Sequence, residues 1–94
     1  MSDSSPTYHL RAHFSGRVQG VGFRYTTYQV AKEYEVSGYV QNLADGRVLL
    51  EVEGEWDEVE SFLDGLKERM DGMIREVEVK RDHRARVFSG FSIR

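Results

Sequence analysis

Apolar and polar residues alternate from Tyr8 to Phe14: Tyr8, Leu10, Ala12 and Phe14 fall on one side, His9, Arg11 and His13 on the other. That is the period of a half-buried strand. A glycine-rich run, GRVQGVG from Gly16 to Gly22, interrupts it. The spacing then changes to one helical stripe of Phe23, Thr27, Val30, Ala31 and Tyr34, which predicts a helix from about Phe23 to Tyr34. Val36, Gly38 and Val40 alternate up to Asn42, and Leu43 to Gly46 (LADG) supplies turn residues. Val48, Leu50 and Val52 then alternate with Leu49, Glu51 and Glu53, so a hairpin is expected. Beyond Gly54, a second helical stripe of Trp56, Val59, Phe62, Leu63, Leu66 and Met70 lies opposite Asp57, Glu58, Glu60, Asp64 and Lys67, ending near Asp71 and Gly72. Ile74 to Lys80 reads as a fourth strand through Val77 and Val79. Arg81 to Arg86 (RDHRAR) reads as a polar loop, and Phe91 with Ile93 closes a short fifth strand.

The order β-α-β-β-α-β plus a strand predicts an α+β fold of the ferredoxin-like βαββαβ type, a mixed sheet with both helices on one face. Residues 1–7 (MSDSSPT) are polar and contain the only proline, so they read as a disordered tail, and 8–94 as the folded domain. Ninety-four residues close one modest core and are too few for two. The expectation is one domain, one site and a monomer. There is no internal repeat, and no low-complexity segment beyond the tail.

Charge and composition narrow the chemistry. The chain carries 13 Lys plus Arg against 16 Asp plus Glu, a formal charge of -3, which repels a polyanion unless the basic residues gather on one face. Nucleic acid is therefore a poor partner. Cysteine is absent, so neither disulfides nor thiolate metal sites are available. No stretch approaches the ~18 apolar residues that cross a bilayer, and the first residues lack a secretory pattern. A cytoplasmic protein without membrane contact is expected.

The segment GRVQGVGFR, Gly16 to Arg24, places three glycines between the first strand and the first helix. Glycines let backbone N–H groups converge without Cβ clashes, and the helix start adds unpaired N–H groups with partial positive charge. Such a cradle from Gln19 through Gly20, Val21 and Gly22 to Phe23 suits a phosphate. Arg24, in the first helical turn, adds a planar fork that grips two phosphate oxygens. The plainer reading is a tight turn beside a solvated arginine. A Walker loop is excluded because no lysine and hydroxyl residue follow the glycines, and the chain is too short for a Rossmann unit. In the split βαβ arrangement the second strand runs parallel to the first, so Asn42 emerges on the edge that holds the glycine loop, two strand spacings or roughly 10 Å away. Parity puts Asn42 on the helix-covered face with Val36 and Val40. Its plainer reading is the start of the LADG turn.

GRVQGVGFR followed by GYVQNLADGRV (Gly38 to Val48) and Gly54 resembles the two signature segments of the acylphosphatase family. The likeness continues to the final FSGFSIR and covers nearly all of residues 8–94, an acylphosphatase-like domain. The resemblance implies a ferredoxin-like fold, hydrolysis of the carboxyl-phosphate bond of acyl phosphates, Arg24 as phosphate ligand and Asn42 as the residue that orients water. Phe14 departs from the family, which usually has an aliphatic residue there. The substrate would be a small acyl phosphate, with inorganic phosphate as product and inhibitor. Candidates that the resemblance implies include 1,3-bisphosphoglycerate, carbamoyl phosphate and acetyl phosphate.

Such chemistry needs little. The leaving carboxylate has a conjugate acid of pKa about 4, so no general acid is required. What remains is charge stabilisation on the phosphoryl group and the positioning of water. No metal and no cofactor are expected, since no carboxylate pair falls beside the cradle. His9 and His13 share a strand face but sit roughly 13 Å apart, too far to share one metal, and read as surface residues. Trp56 reads as core, the arginines 81, 84 and 86 as a solvated run, and the carboxylates of the second helix as a solvent face. Two other readings stand beside hydrolysis: a non-catalytic anion- or RNA-binding ferredoxin-like module, and an acylphosphatase-like regulatory domain without turnover. The predicted third strand, RVLLEVE, has no aromatic on which a base could stack.

Overall fold

The computed structural model describes residues 6–94. The elements follow the order β1 (Thr7–Gly16), α1 (Phe23–Ala31), β2 (Val36–Asn42), β3 (Val48–Gly54), α2 (Trp56–Arg69), β4 (Ile74–Arg84) and β5 (Phe91–Ile93). The strands make one sheet in the order β4-β1-β3-β2-β5, antiparallel throughout except for the parallel β2-β5 pair at the rim. This is the expected ferredoxin-like α+β arrangement. β3 lies between β1 and β2, as the split connection requires.

One face of the sheet is apolar because the pleat turns Leu10, Ala12 and Phe14 of β1, Val40 of β2 and Val48, Leu50 and Val52 of β3 the same way, and all are buried. The stripes Phe23, Thr27, Val30 of α1 and Val59, Phe62, Leu63, Leu66 of α2 cover them. Phe14 packs against Phe23 with ring centroids 5.1 Å apart, tying β1 to the start of α1. Phe14 thus joins an aromatic pair within the core.

Several boundaries differ from the sequence reading. The expected tail of residues 1–7 lies outside the described residues up to Ser5, and Thr7 opens β1 through its pairing with Arg84. α1 ends at Ala31, three residues early, because the N–H groups of Lys32, Glu33 and Tyr34 bond three residues back, to Gln29, Val30 and Ala31. This tighter turn still delivers Tyr34 against Phe62. α2 ends at Arg69. β4 runs to Arg84, so Arg81 to Arg84 are strand and not loop. The backbone there pairs with β1 from Thr7 to Leu10, and pairing leaves no trace in hydropathy on an edge strand whose side chains face water.

Trp56 is 64% exposed and not core. It is the first residue of α2, where a side chain has no preceding helical turn to pack on. His9, expected at the surface, is buried: its Nδ1 meets Asp82 and its Nε2 meets Glu51, each at 2.8 Å. The segment after β4 crosses the face of the sheet that carries no helix, where the Val87 and Phe88 N–H groups donate to the Glu53 carboxylate and the Phe88 ring packs edge-on to Tyr39. The arginines are paired as well. Arg81 grips Glu60 at 2.7 and 3.1 Å, Arg84 lies 3.3 Å from Glu51, and Arg86 lies 4.0 Å from the buried Glu53. Glu60, which also accepts from Tyr8, is therefore not simply solvated.

Candidate active site

The loop between β1 and α1 alternates anchors with glycines. Val18 is buried and Val21 packs partly on the core, while Gly20 (φ 77°) and Gly22 (φ 78°) take the left-handed conformation that a side chain resists. Gly22 caps α1 with no side-chain bond. Among the described residues the N–H groups of Gln19, Gly20, Val21, Gly22 and Phe23 donate no backbone hydrogen bond. Free N–H groups beside a helix start form an anion-binding concavity.

A cavity of about 220 Å³ opens over this loop. The loop contributes Val18, Gly20 and Gly22; the first turn of α1 contributes Phe23, Arg24 and Tyr25; the ends of β2 and β5 contribute Asn42 and Ile93. The structure thus brings Gly20, Gly22, Phe23, Arg24 and Asn42 to one cavity. Arg24 donates from one terminal nitrogen to the Arg94 carbonyl at 2.9 Å, which orients the guanidinium along the end of β5. The Asn42 Oδ1 atom is buried and has no hydrogen-bond partner among the described residues. A buried acceptor left unpaired is costly unless a donor visits it.

Gln19 and Val21, also expected in the cradle, are not among the residues that line the cavity. The Gln19 side chain turns away from the cavity and donates to the carbonyls of Leu43 and Arg47, at 2.8 and 2.9 Å, in the turn after Asn42. That turn is closed by Leu43 N–H to Arg47 carbonyl at 2.8 Å, with Arg47 held by Asp45. The Asp45 carboxyl sits below the usual carboxylate range because the Arg47 backbone N–H and then its guanidinium bind it. Three lining residues went unnoticed in the sequence: Val18, Tyr25 and Ile93. Tyr25 adjoins Arg24 in the chain, and that adjacency is its sequence signal. Ile93 reaches the site only because β5 adds beside β2, with Val40 opposite Ile93, and no local pattern announces that.

A larger cavity of about 600 Å³ opens at the opposite end of the sheet, where Glu35, Glu55, Asp57 and Glu58 face Arg86. Four carboxylates against one arginine repel an anion, so it does not compete as a phosphate site. Among the described residues, no three His, Asp or Glu side chains converge as metal donors, His9 and His13 included. Among the described residues no helix is long and apolar enough to cross a membrane.

Known proteins share this chain's sequence pattern and fold. The acylphosphatase family model matches residues 10–93. The chain is 47% identical to an acylphosphatase of Archaeoglobus fulgidus over 73 residues, covering 77% of this chain and 82% of that one. It is 40% identical to an acylphosphatase of Salinibacter ruber over 86 residues, 90% of each. The crystal structure of acylphosphatase from Bacillus subtilis superposes with a TM-score of 0.84 at 32% identity, over 92% of this chain and 97% of that one.

Proposed function

The chain belongs to the acylphosphatase family, hydrolases of acyl phosphates, and from that premise we propose how its own residues carry the reaction. The phosphoryl group sits over the loop, with its oxygens accepting from the free N–H groups of Gln19 to Phe23 and from the Arg24 guanidinium. Asn42 holds a water by accepting one of its protons at Oδ1. The water oxygen attacks phosphorus, the bond from phosphorus to the acyl oxygen breaks, and the electron pair leaves on a carboxylate. The proton released by the water ends on a phosphate oxygen. No acid is needed for so good a leaving group, and no metal, because the guanidinium and the N–H groups supply the positive field.

The observation that carries this reading is the unpaired Asn42 Oδ1 in the cavity that Arg24 and the glycine loop share. The N–H cradle gives charge stabilisation, and the orphan acceptor gives the attacking water its place. The experiment is hydrolysis of acetyl phosphate by the purified protein in excess chelator, with inorganic phosphate as competitor. Full activity with competitive inhibition is expected. Loss of activity on chelation would overturn the metal-free mechanism, and absence of inhibition would overturn the phosphate cradle.

An RNA-binding role fits poorly. The sheet face on which modules of this topology stack bases holds Tyr39 beneath Phe88, and Arg94 lies 3.9 Å above the same ring. A regulatory domain without turnover has a specific mark against it, since the orphan acceptor has no use there. We also propose a cytoplasmic monomer, because every group named in the mechanism comes from one chain and cysteine is absent. Size-exclusion chromatography and cell fractionation test those two points.

A further inference from the structure

Large apolar side chains left in water are informative where they gather. Among the described residues four stand out, Tyr25, Trp56, Val87 and Ile93. Two of them border the one cavity that Arg24 and Asn42 line: Tyr25, 62% exposed, and Ile93, 42% exposed. They arrive from distant parts of the chain, Tyr25 on the first turn of α1 and Ile93 on β5. Below them Val18 and Phe23, both buried, continue the apolar surface to the cavity floor. The mechanism uses neither Tyr25 nor Ile93.

We propose that Tyr25 and Ile93 form a wall that seats the acyl substituent, so that the site favours acyl phosphates with an aromatic or branched aliphatic acyl group over acetyl phosphate. The inference rests on the cradle holding the phosphoryl group. Once phosphorus is over the loop and water approaches from Asn42, the acyl oxygen leaves on the side away from the water. The substituent then has to cross the cavity rim, where these two side chains stand. A methyl group barely reaches them, while a ring or branched chain covers them and sheds water from both surfaces. Neither side chain carries a charge with which to hold a second anionic group.

Phosphonates carry the substituent on a carbon-phosphorus bond that the protein cannot hydrolyse, so they report binding alone. Phenylphosphonate is expected to inhibit acetyl phosphate hydrolysis about three- to tenfold more tightly than methylphosphonate. That ratio should fall toward one in the Tyr25→Ser/Ile93→Ser double variant and part of the way in Tyr25→Ser alone, which does not ask β5 to tolerate serine. Trp56→Ser, equally exposed but remote from the cavity, should keep the wild-type ratio. A ratio of one in the wild type, or a ratio untouched in both Tyr25 variants, would overturn the wall. Inorganic phosphate on the wild type separates the two levels: inhibition by phosphate with a ratio of one sinks the wall and leaves the cradle standing. No inhibition by phosphate or either phosphonate sinks the cradle, and the wall with it.

Discussion

The Gln19 carboxamide donates to the Leu43 carbonyl at 2.8 Å, and through it the glycine loop is tied to the residue that follows Asn42. A second bond from the same nitrogen reaches Arg47 at 2.9 Å. Gln19→Ala is expected to cost about 1–2 kcal/mol of stability, to lower kcat about tenfold, and to leave phosphate inhibition nearly intact, because the loop N–H groups and Arg24 remain. Gln19→Glu should be worse, since a carboxylate then faces two carbonyl oxygens. Urea unfolding together with the phosphate inhibition constant checks both; a loss of phosphate binding that matches the loss of kcat would make Gln19 a direct ligand.

In the proposed mechanism Arg24 binds the phosphoryl group and Asn42 places the water. Arg24→Ala should lose phosphate inhibition together with activity, by about 10²-fold or more in kcat/KM. Asn42→Ala should lose turnover on a similar scale while phosphate still inhibits. Steady-state kinetics with phosphate as competitor decides, and an equal loss of inhibition in the two variants refutes the division.

Phe14 and Trp56 test what burial contributes. Phe14 is fully buried against Phe23, so Phe14→Ala should cost about 3–5 kcal/mol. Trp56 stands in solvent, and Trp56→Ser should change stability by no more than about 0.5 kcal/mol. Denaturant midpoints compare them directly; a large loss at Trp56 would mean that α2 seats its first turn differently.

Alkaline stability should report Tyr39. Burial first, then the hydrogen bond to Glu51 and that carboxylate's charge, push its hydroxyl up to about 12 from an ordinary 10.0. A raised phenol pKa means that the fold favours the neutral form. The contribution is complete below pH 10 and is lost as pH rises through about 12. Unfolding free energy measured across that window should fall in the wild type and fall less steeply in Tyr39→Phe; equal slopes would mean that the shift has another owner.

Much of this was legible in the chain because the apolar residues keep their period. The stripe from Val59 to Leu66 and the alternation through Leu10, Ala12 and Phe14 report burial on one face, and burial there is what the fold needs. The glycine loop, Arg24 and Asn42 were legible for a different reason: a helix start and a parallel crossover fix where strand ends emerge. What escaped was decided across the sheet. His9 is buried with Asp82 and Glu51 bonded to it from the strands on either side, neither of which its own neighbours in sequence reveal. Arg81 and Arg84 look solvated one at a time, and become partners only once β4 runs on beside β1. Ile93 needed the rim position of β5 for the same reason.

The two rims of the sheet differ in a way that matters for solubility. β4 exposes an open ladder to solvent over Ile74–Arg84, yet charged side chains from Arg75 to Arg84 stud it, and a second strand pairing there would have to desolvate them. β5 is only three residues long and offers too short a run of unpaired amides to template growth. The molecule should therefore withstand high concentration without fibrillating, and loss of charge along β4 would remove that protection first.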